Sequence, residues 1–459
     1  MSYMEQLKGV DCKTKRVLLC LMFLLVAPLL FGADEIVVEV KTSDQLLPLY
    51  LGTISASKSG FDANYCKQIG QILQFDFDHN GRTALLPTSP EREQLSQRES
   101  FDSAAWKKAG AQLFIQPTIA DKRLILTVLD TRTTKAKKLN EVALSGNLAH
   151  DRKLVHQASD TIFLSLFNEE GIASRRILYT LRTKGSSNNS QDWVTEVWEA
   201  DYDFANQRKL TTDQKLCVTP SYVPLPNGQP HDFVYVSYKI GQPKIYLGST
   251  KGGESRRLSY LRGNQLMPVI SPRLNKIAFI NDITGNPDLF IQDFSVEKGL
   301  IGKPEQIFHA PGATQGCPSF SPDGFSITFV SNKDGTPRIY MMPIPRAGAS
   351  LKDLKPQLIS KKNQGNTSPA WSPDGKKIAY SAVTSGVRQI WIYDIVKHEE
   401  WQLTQGPMHK ENPMWAPNSL HLLFNSVADG VAELYLINLN QKTATKISSG
   451  AGEKRFPAW

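Results

Sequence analysis

The chain runs to 459 residues, 41% of them hydrophobic and 21% charged, with a formal charge of +9 at neutral pH. That length exceeds what one hydrophobic core organises and asks for two or three folded units of ordinary globular composition. No run of five or more like charges marks a nucleic-acid-binding tail. The five cysteines are too few and too scattered for a disulfide framework, and no Cys-x-x-Cys or His-x-x-x-His metal spacing occurs.

In chain order, Lys13, Lys15 and Arg16 precede the apolar run from Val17 to Phe31. This is the pattern of a secretory signal peptide, since about fifteen apolar residues fall short of the roughly 20 needed to span a bilayer. Gly32 and Ala33 supply the small residues of a cleavage site, so residues 1–33 are assigned to the signal. Leu19 before Cys20 argues against lipoprotein processing. Losing this segment removes four basic and two acidic residues, taking the charge from +9 to +7. Cys66, Cys217 and Cys317 remain, and all three are expected as buried, inert thiols.

Residues 34–170 read as an N-terminal α/β domain. Ile36–Val40 is a strand, Lys67–Leu73 a helix with apolar residues at helical spacing, and a second helix runs from Asp102 to Ala109. Strands follow at Gln112–Gln116 and Arg123–Leu129, then a longer amphipathic helix from His150 to Phe167.

Residues 171–459 carry a repeat. Its fullest copies are Pro369-Ala-Trp-Ser-Pro-Asp-Gly375 and Pro318-Ser-Phe-Ser-Pro-Asp-Gly324, each followed by an apolar strand. Worn copies start at Pro220, Pro268 and Pro413, and Pro457-Ala-Trp459 is the last. Ser-Pro-Asp-Gly is a hairpin tip, because Pro fixes the second corner and Gly supplies a positive φ. Third strands follow at Lys244–Leu247, Asp288–Ile291, Arg338–Met341, Gln389–Ile392 and Glu433–Leu436, and a short fourth strand after each. Four strands per unit of 44 to 51 residues is propeller spacing. The segment from Ile177 to Leu210 lacks only an innermost strand, and Phe456–Trp459 is an innermost strand lacking the rest. Together they predict an all-β six-bladed propeller closed by the two ends of the ring. Ser186–Ser190 is a polar loop inside that composite blade.

The segments Arg152-Lys-Leu-Val-His156, Ser159-Asp-Thr-Ile162 and Glu170-Gly-Ile-Ala-Ser-Arg-Arg-Ile-Leu-Tyr179 resemble the junction of the TolB family, the periplasmic component of the Tol-Pal system. The likeness covers the whole order of parts, although the second and sixth blades lack Ser-Pro-Asp-Gly and the family's usual ending runs past Trp459. The resemblance implies a periplasmic, non-enzymatic adaptor without cofactors, peripheral to the envelope membranes rather than integral. It implies binding of the peptidoglycan-associated lipoprotein Pal at the propeller opening, in support of outer-membrane integrity and constriction during cell division. It also implies contact with TolA through a mature N-terminal segment at Asp34, Glu35, Ile36, Val37 and Val38, and with other outer-membrane proteins.

Six loops leading into the innermost strands border the opening and are where Pal is expected: Leu216–Thr219, Asn264 and Gln265, Thr314, Gln315 and Gly316, Asn366 and Thr367 with Ser368, His409, Lys410, Glu411 and Asn412, and Lys454 with Arg455. Trp371, Trp415, Trp459 and Phe320 are expected in blade cores. There is no Gly-x-Ser-x-Gly elbow, P-loop or Gly-x-Gly-x-x-Gly, and the eight histidines fall singly. His156 therefore reads as structural, and no metal site is expected. A propeller fold alone does not choose between binding and catalysis. An enzyme acting on glycans or peptides through carboxylates such as Glu411 and Asp213 is the alternative.

Overall fold

The computed structural model describes residues 46–459 other than 99, 133, 134, 186–192, 226–229, 274, 346–354 and 442. The signal segment, the strand expected at Ile36–Val40, the partner segment Asp34–Val38 and the loop Ser186–Ser190 lie outside the described residues.

The first described element is a five-stranded sheet in the order Thr83–Leu85, Leu47–Leu51, Leu113–Ala120, Arg123–Asp130, Lys135–Ala143. Leu47–Leu51 pairs in parallel on both sides, and the later strands pair antiparallel. Alternation along Leu113–Ala120 sorts the two faces. Leu113 and Ile115 face a core shared with helices α1 (Ala63–Asp78) and α4 (Leu148–Phe167). Phe114 faces the other way, against Tyr50, Leu95 of helix α2 (Pro90–Ser96) and Trp106 of helix α3 (Ser103–Lys108). The side chains of Asp62 and Asn147 cap α1 and α4 by accepting from backbone N–H groups of their first turns.

Beyond α4 the chain forms six four-stranded antiparallel sheets. Their first strands are Cys217–Tyr222, Gln265–Ile270, Gln315–Phe320, Gln364–Trp371, His409–Trp415 and Glu453–Ala458, and these define blades 1 to 6. Each first strand touches that of the next blade, and the contacts return from blade 6 to blade 1. The first strands are therefore the inner wall of a ring. Blade 6 is composite: Glu453–Ala458 pairs antiparallel with Arg176–Lys184, followed by Trp193–Asp201 and Arg208–Lys209. Apolar cores fill the spaces between sheets, with Trp415 and Phe320 buried and Trp371 and Trp459 partly so.

Every inner strand carries the same irregularity. Thr219, Met267, Cys317, Ser368, Asn412 and Phe456 all have positive φ, between 48° and 54°, and each precedes a proline. Proline lacks an N–H and restricts the residue before it, so the ladder skips both residues and resumes beyond them as a bulge. At the other end of the strand the Ser-Pro-Asp-Gly tips close as expected. Gly324 and Gly375 have φ of 72° and 73°, and their N–H groups donate to Ser321 O (2.8 Å) and Ser372 O (2.9 Å). Each serine hydroxyl also accepts from the backbone N–H that opens the second strand.

Antiparallel pairing puts the hairpin tips and the third-to-fourth turns on one face of the ring, here the lower face. The lead-in loops and second-to-third turns lie on the upper face. The α/β layer sits below blades 5 and 6. His421 Nε2 donates to His79 O (2.7 Å), Asn440 Nδ2 to Gly81 O (2.8 Å) and Asn206 Nδ2 to Ala149 O (2.9 Å). Asp160 of α4 accepts the N–H groups of Ala173 (2.8 Å) and Ser174 (2.9 Å), which fixes the strand leading into blade 6. A side chain at Gly171 would collide with that carboxylate.

At the centre of the junction Asp76 accepts from Tyr202 Oη (2.6 Å) and His156 Nδ1 (2.8 Å), while Asp203 faces His156 Nε2 (3.5 Å) and Arg152. His156, Asp201 and Asp203 bring donor atoms within 4.8 Å of one another. Arg152 contacts Asp203 and approaches Asp201 (4.0 Å), supplying the positive charge that a metal ion would bring.

Two predictions arise here. Removing Phe456–Trp459 exposes the edge of Arg176–Lys184 and the cores flanking blade 6, and is expected to cost at least about 3 kcal/mol in chemical unfolding; an unchanged midpoint refutes the composite blade. The second concerns pH. Burial pulls the His156 imidazole down, but Asp76 and Asp203 outweigh it and push it up to about 10 from 6.5. Burial lowers His421 to about 4. A raised base contributes fully below pH 6.5 and loses that contribution as pH rises towards 10. A depressed one contributes fully above 6.5 and loses it as pH falls towards 4. In unfolding measured across pH, His156→Gln should flatten the alkaline limb and His421→Asn the acidic limb. Limbs unchanged by these substitutions would show that neither histidine is held in this way.

Candidate functional site

Among the described residues, the surface of the upper face is made by the lead-in loops and the second-to-third turns. The structure divides the residues expected there into two sets. Gln265, Gln315, Asn366, Lys410 and Lys454 occupy one equivalent position, two residues before the positive-φ residue, and all are buried. Their polar ends turn into the wall and hold their own loops. Gln265 Nε2 donates to Leu261 O (3.2 Å), Asn366 Nδ2 to Asn363 O (3.0 Å), Lys410 Nζ to Met408 O (2.8 Å), and Lys454 Nζ to Gly450 O. Burial accordingly lowers the Lys410 ammonium.

The remaining residues, other than the buried Cys217, are partly or fully exposed. Asn264 donates its amide and its backbone N–H to Asp282 (both 2.7 Å). Thr314 is exposed and its N–H donates to Asn332 Oδ1 (2.7 Å). Gly316 lies beside Met267 Sδ, which accepts from the N–H of Cys317 (3.0 Å). Ser368 Oγ donates across to Asn412 Oδ1 (3.0 Å). The bulge residues therefore link neighbouring blades around the inner wall. Cys317 is one of them and is only partly buried, unlike Cys66 and Cys217; all three thiols are free.

Glu411 anchors a chain of ion pairs across blades 4, 5 and 6. Arg388 Nε (3.8 Å) and Arg455 Nη1 (3.4 Å) approach its two oxygens. Arg455 Nε then reaches Glu453 (3.2 Å), which also pairs with Arg182 (3.2 Å). His409 Nδ1 accepts from the N–H of Arg388 (3.2 Å), whose guanidinium donates to Thr367 Oγ1 (3.4 Å). Asp213, between blades 6 and 1, is instead paired with Lys239 (3.3 Å) and accepts from Tyr235 Oη (3.2 Å). Each carboxylate considered for catalysis thus carries its own cation.

Sequence reasoning missed the residues that shape these loops. One polar residue per blade stands near the start of an otherwise apolar third strand: Glu196, Lys244, Asp288, Arg338, Gln389 and Glu433. Each braces the loop that follows its blade. Glu196 accepts the N–H of Gln214 (2.9 Å), and Lys244 Nζ donates to Leu261 O (2.8 Å) and Gly263 O (2.5 Å). Asp288 accepts from Gln306 Nε2 and pairs with His309 (2.8 Å). Arg338 donates to Ser360 O (3.2 Å) and Gln389 to Gly406 O (2.7 Å). Glu433 accepts from Ser448 Oγ and pairs with Lys454 (3.3 Å). The signal was present in the sequence as a charge or amide at a fixed place in every repeat.

A ring with braced loops above and an α/β layer below defines a class, the closed six-bladed β-propeller with an appended mixed sheet. The pattern described as TolB beta propeller domain matches residues 163–459. The Protein TolB homolog of Protochlamydia amoebophila is 48% identical over 83% of this chain and 82% of the relative. That of Chlamydia trachomatis serovar D is 36% identical over 86% of this chain and 84% of the relative. The crystal structure of TolB from Acinetobacter baumannii superposes with a TM-score of 0.72 at 20% identity, covering 91% of this chain and 97% of that one. The chain belongs to the TolB family.

The brace is testable. Lys244→Met removes the ammonium donor to Gly263 O and one of two donors to Leu261 O, and the expected cost is about 1–3 kcal/mol in urea unfolding. A midpoint unmoved by the substitution would mean the loop from Ser259 to Asn264 is held by other contacts.

Proposed function

We propose that this chain is a non-enzymatic adaptor of the Tol-Pal cell-envelope system, exported to the periplasm, that binds Pal on the upper face of its propeller. The observation that carries the reading is the division of the ring's two faces. The lower face is occupied under blades 5 and 6 by the α/β layer, whereas the upper face presents six loops, each held in place by a brace from a third strand, buried at Glu196, Lys244, Asp288 and Gln389. Loops on a rigid scaffold are the usual means of recognising another protein. A surface of amides, hydroxyls and charges with scattered apolar side chains has the composition of a non-obligate interface. Family membership directs the choice of partner to Pal, and the segment Asp34–Val38 to TolA. Together these contacts support outer-membrane integrity and constriction at division.

Titration calorimetry of the mature chain with the soluble domain of Pal from the same cells tests the reading. A saturable one-to-one complex is expected, lost when Asn264→Asp and Thr314→Arg are combined on the upper face and retained when Phe325→Ala alters the lower face. Absence of any complex with the unsubstituted chain overturns the assignment.

A further inference from the structure

The upper face is chemically lopsided. On blades 4, 5 and 6 the side chains near the opening are Thr367, Glu411 and Arg455, tied into the ion-pair chain that runs from Arg388 to Arg182. The equivalent positions on blades 1 and 2 are Val218 and Leu266, both half-buried. Outward from them lies an arc of exposed apolar side chains: Trp193 (45%), Leu216 (39%), Ile240 (50%), Tyr260 (78%) and Ile283 (48%).

These five belong to successive loops that touch. The strand beginning at Trp193 bridges to Leu216 through Thr195. Tyr238 N–H donates to Leu216 O (3.0 Å), beside Ile240, and Gln265 N–H donates to Pro243 O (3.1 Å). Gly263 packs against Asp282 and the backbone of Ile283. The arc is therefore continuous over blades 6, 1 and 2.

Among the described residues, the charge left exposed beyond its internal ion pairs is positive. Arg182 lies over the Trp193 ring (4.5 Å) and Arg257 over Tyr260 (4.6 Å), while Lys184, Lys215 and Arg262 are exposed. The carboxylates beside it are engaged internally, Asp213 by Lys239, Asp282 by Asn264 and Glu453 by Arg182 and Arg455. Cation-backed aromatics amid aliphatic side chains combine the anchor types that dominate binding energy at protein interfaces with a field that attracts acidic partners.

We infer that the partner docks off-centre, on this arc over blades 6, 1 and 2, through an acidic protein segment that presents an apolar side chain. The ion-pair chain over blades 4 to 6 is a clasp between blades rather than a contact surface. This inference rests on the adaptor reading for the partner's identity, but not for the chemistry of the arc.

The experiment has two arms on the full mature chain. In the first, affinity for the soluble Pal domain is measured for Tyr260→Ala combined with Ile283→Ala, for Arg262→Glu combined with Lys215→Glu, and for Val383→Ala combined with Val431→Ala on the opposite side. At least a tenfold loss is expected for each of the first two pairs and less than a twofold change for the third, with weaker binding as salt rises. Pal binding that survives both arc pairs overturns the inference while leaving the adaptor reading intact.

The second arm uses the acidic peptide Asp-Glu-Leu-Phe-Asp-Glu and follows the 5-fluorotryptophan resonance of Trp193 by ¹⁹F NMR, assigned through Trp193→Phe. A saturable shift, abolished by the Arg262→Glu and Lys215→Glu pair, supports the arc even if Pal does not bind. No shift at millimolar peptide overturns it. A melting temperature within about two degrees of the unsubstituted chain shows that each variant is folded, and these exposed sites should meet that condition.

Discussion

A row of antiparallel sheets becomes a ring through one set of backbone hydrogen bonds, those joining Glu453–Ala458 to Arg176–Lys184. Both strands would otherwise present unpaired polar groups at sheet edges, and blade 6 would lack its inner wall. The sequence separation between them is some 270 residues, so the closing contact is made against a large loop entropy. What favours it is local reinforcement around the seam: Thr180 Oγ1 donates to Arg455 O (3.1 Å), and Arg182 pairs with Glu453 (3.2 Å). The ion-pair chain through Glu411 extends this reinforcement from the seam into blades 5 and 4.

The two faces follow from that closure. With the inner strands locked in a circle, the lead-in loops are brought to a common rim and the hairpin tips to the opposite one. The lower rim accepts the α/β layer through contacts made almost wholly by backbone carbonyls and buried side chains. The carbonyls of His79, Gly81 and Ala149 accept from His421, Asn440 and Asn206, and Asp76 meets Tyr202. Such contacts require defined geometry on both sides and lie on the lower rim.

Much of the ring was legible in the chain because turn chemistry repeats with strand periodicity. Pro, an aromatic and Ser-Pro-Asp-Gly mark where each inner strand bends and where it reverses, and the short apolar runs after them have few alternatives. The α/β layer was harder. Leu47–Leu51 carries Pro48, which argues against an internal strand, and its parallel neighbours are distant in sequence. Helix α1 begins earlier than its apolar spacing suggests, because Asp62 caps it by accepting from Tyr65 N–H (2.8 Å). The surface was legible only in outline. Gln265, Asn366 and Lys410 look solvated in a polar loop, yet strand alternation turns them inward, where unsatisfied loop carbonyls need donors. The braces at Lys244 and Gln389 act across a fold that no local pattern describes.

The six bulge residues on the inner wall are threonine, methionine, cysteine, serine, asparagine and phenylalanine, a set with no common chemistry. What they share is a backbone conformation that ordinarily costs a non-glycine residue about 1–2 kcal/mol, held in each case within a bulge that ends at a proline. Shape at these positions is thus set by the repeated bulge, while the side chains differ from blade to blade and in places reach one another, as Ser368 reaches Asn412. The inner wall amounts to six sockets in a fixed frame, coupled where neighbours touch, so a change in the channel lining is felt by the adjacent blade before it is felt by the fold.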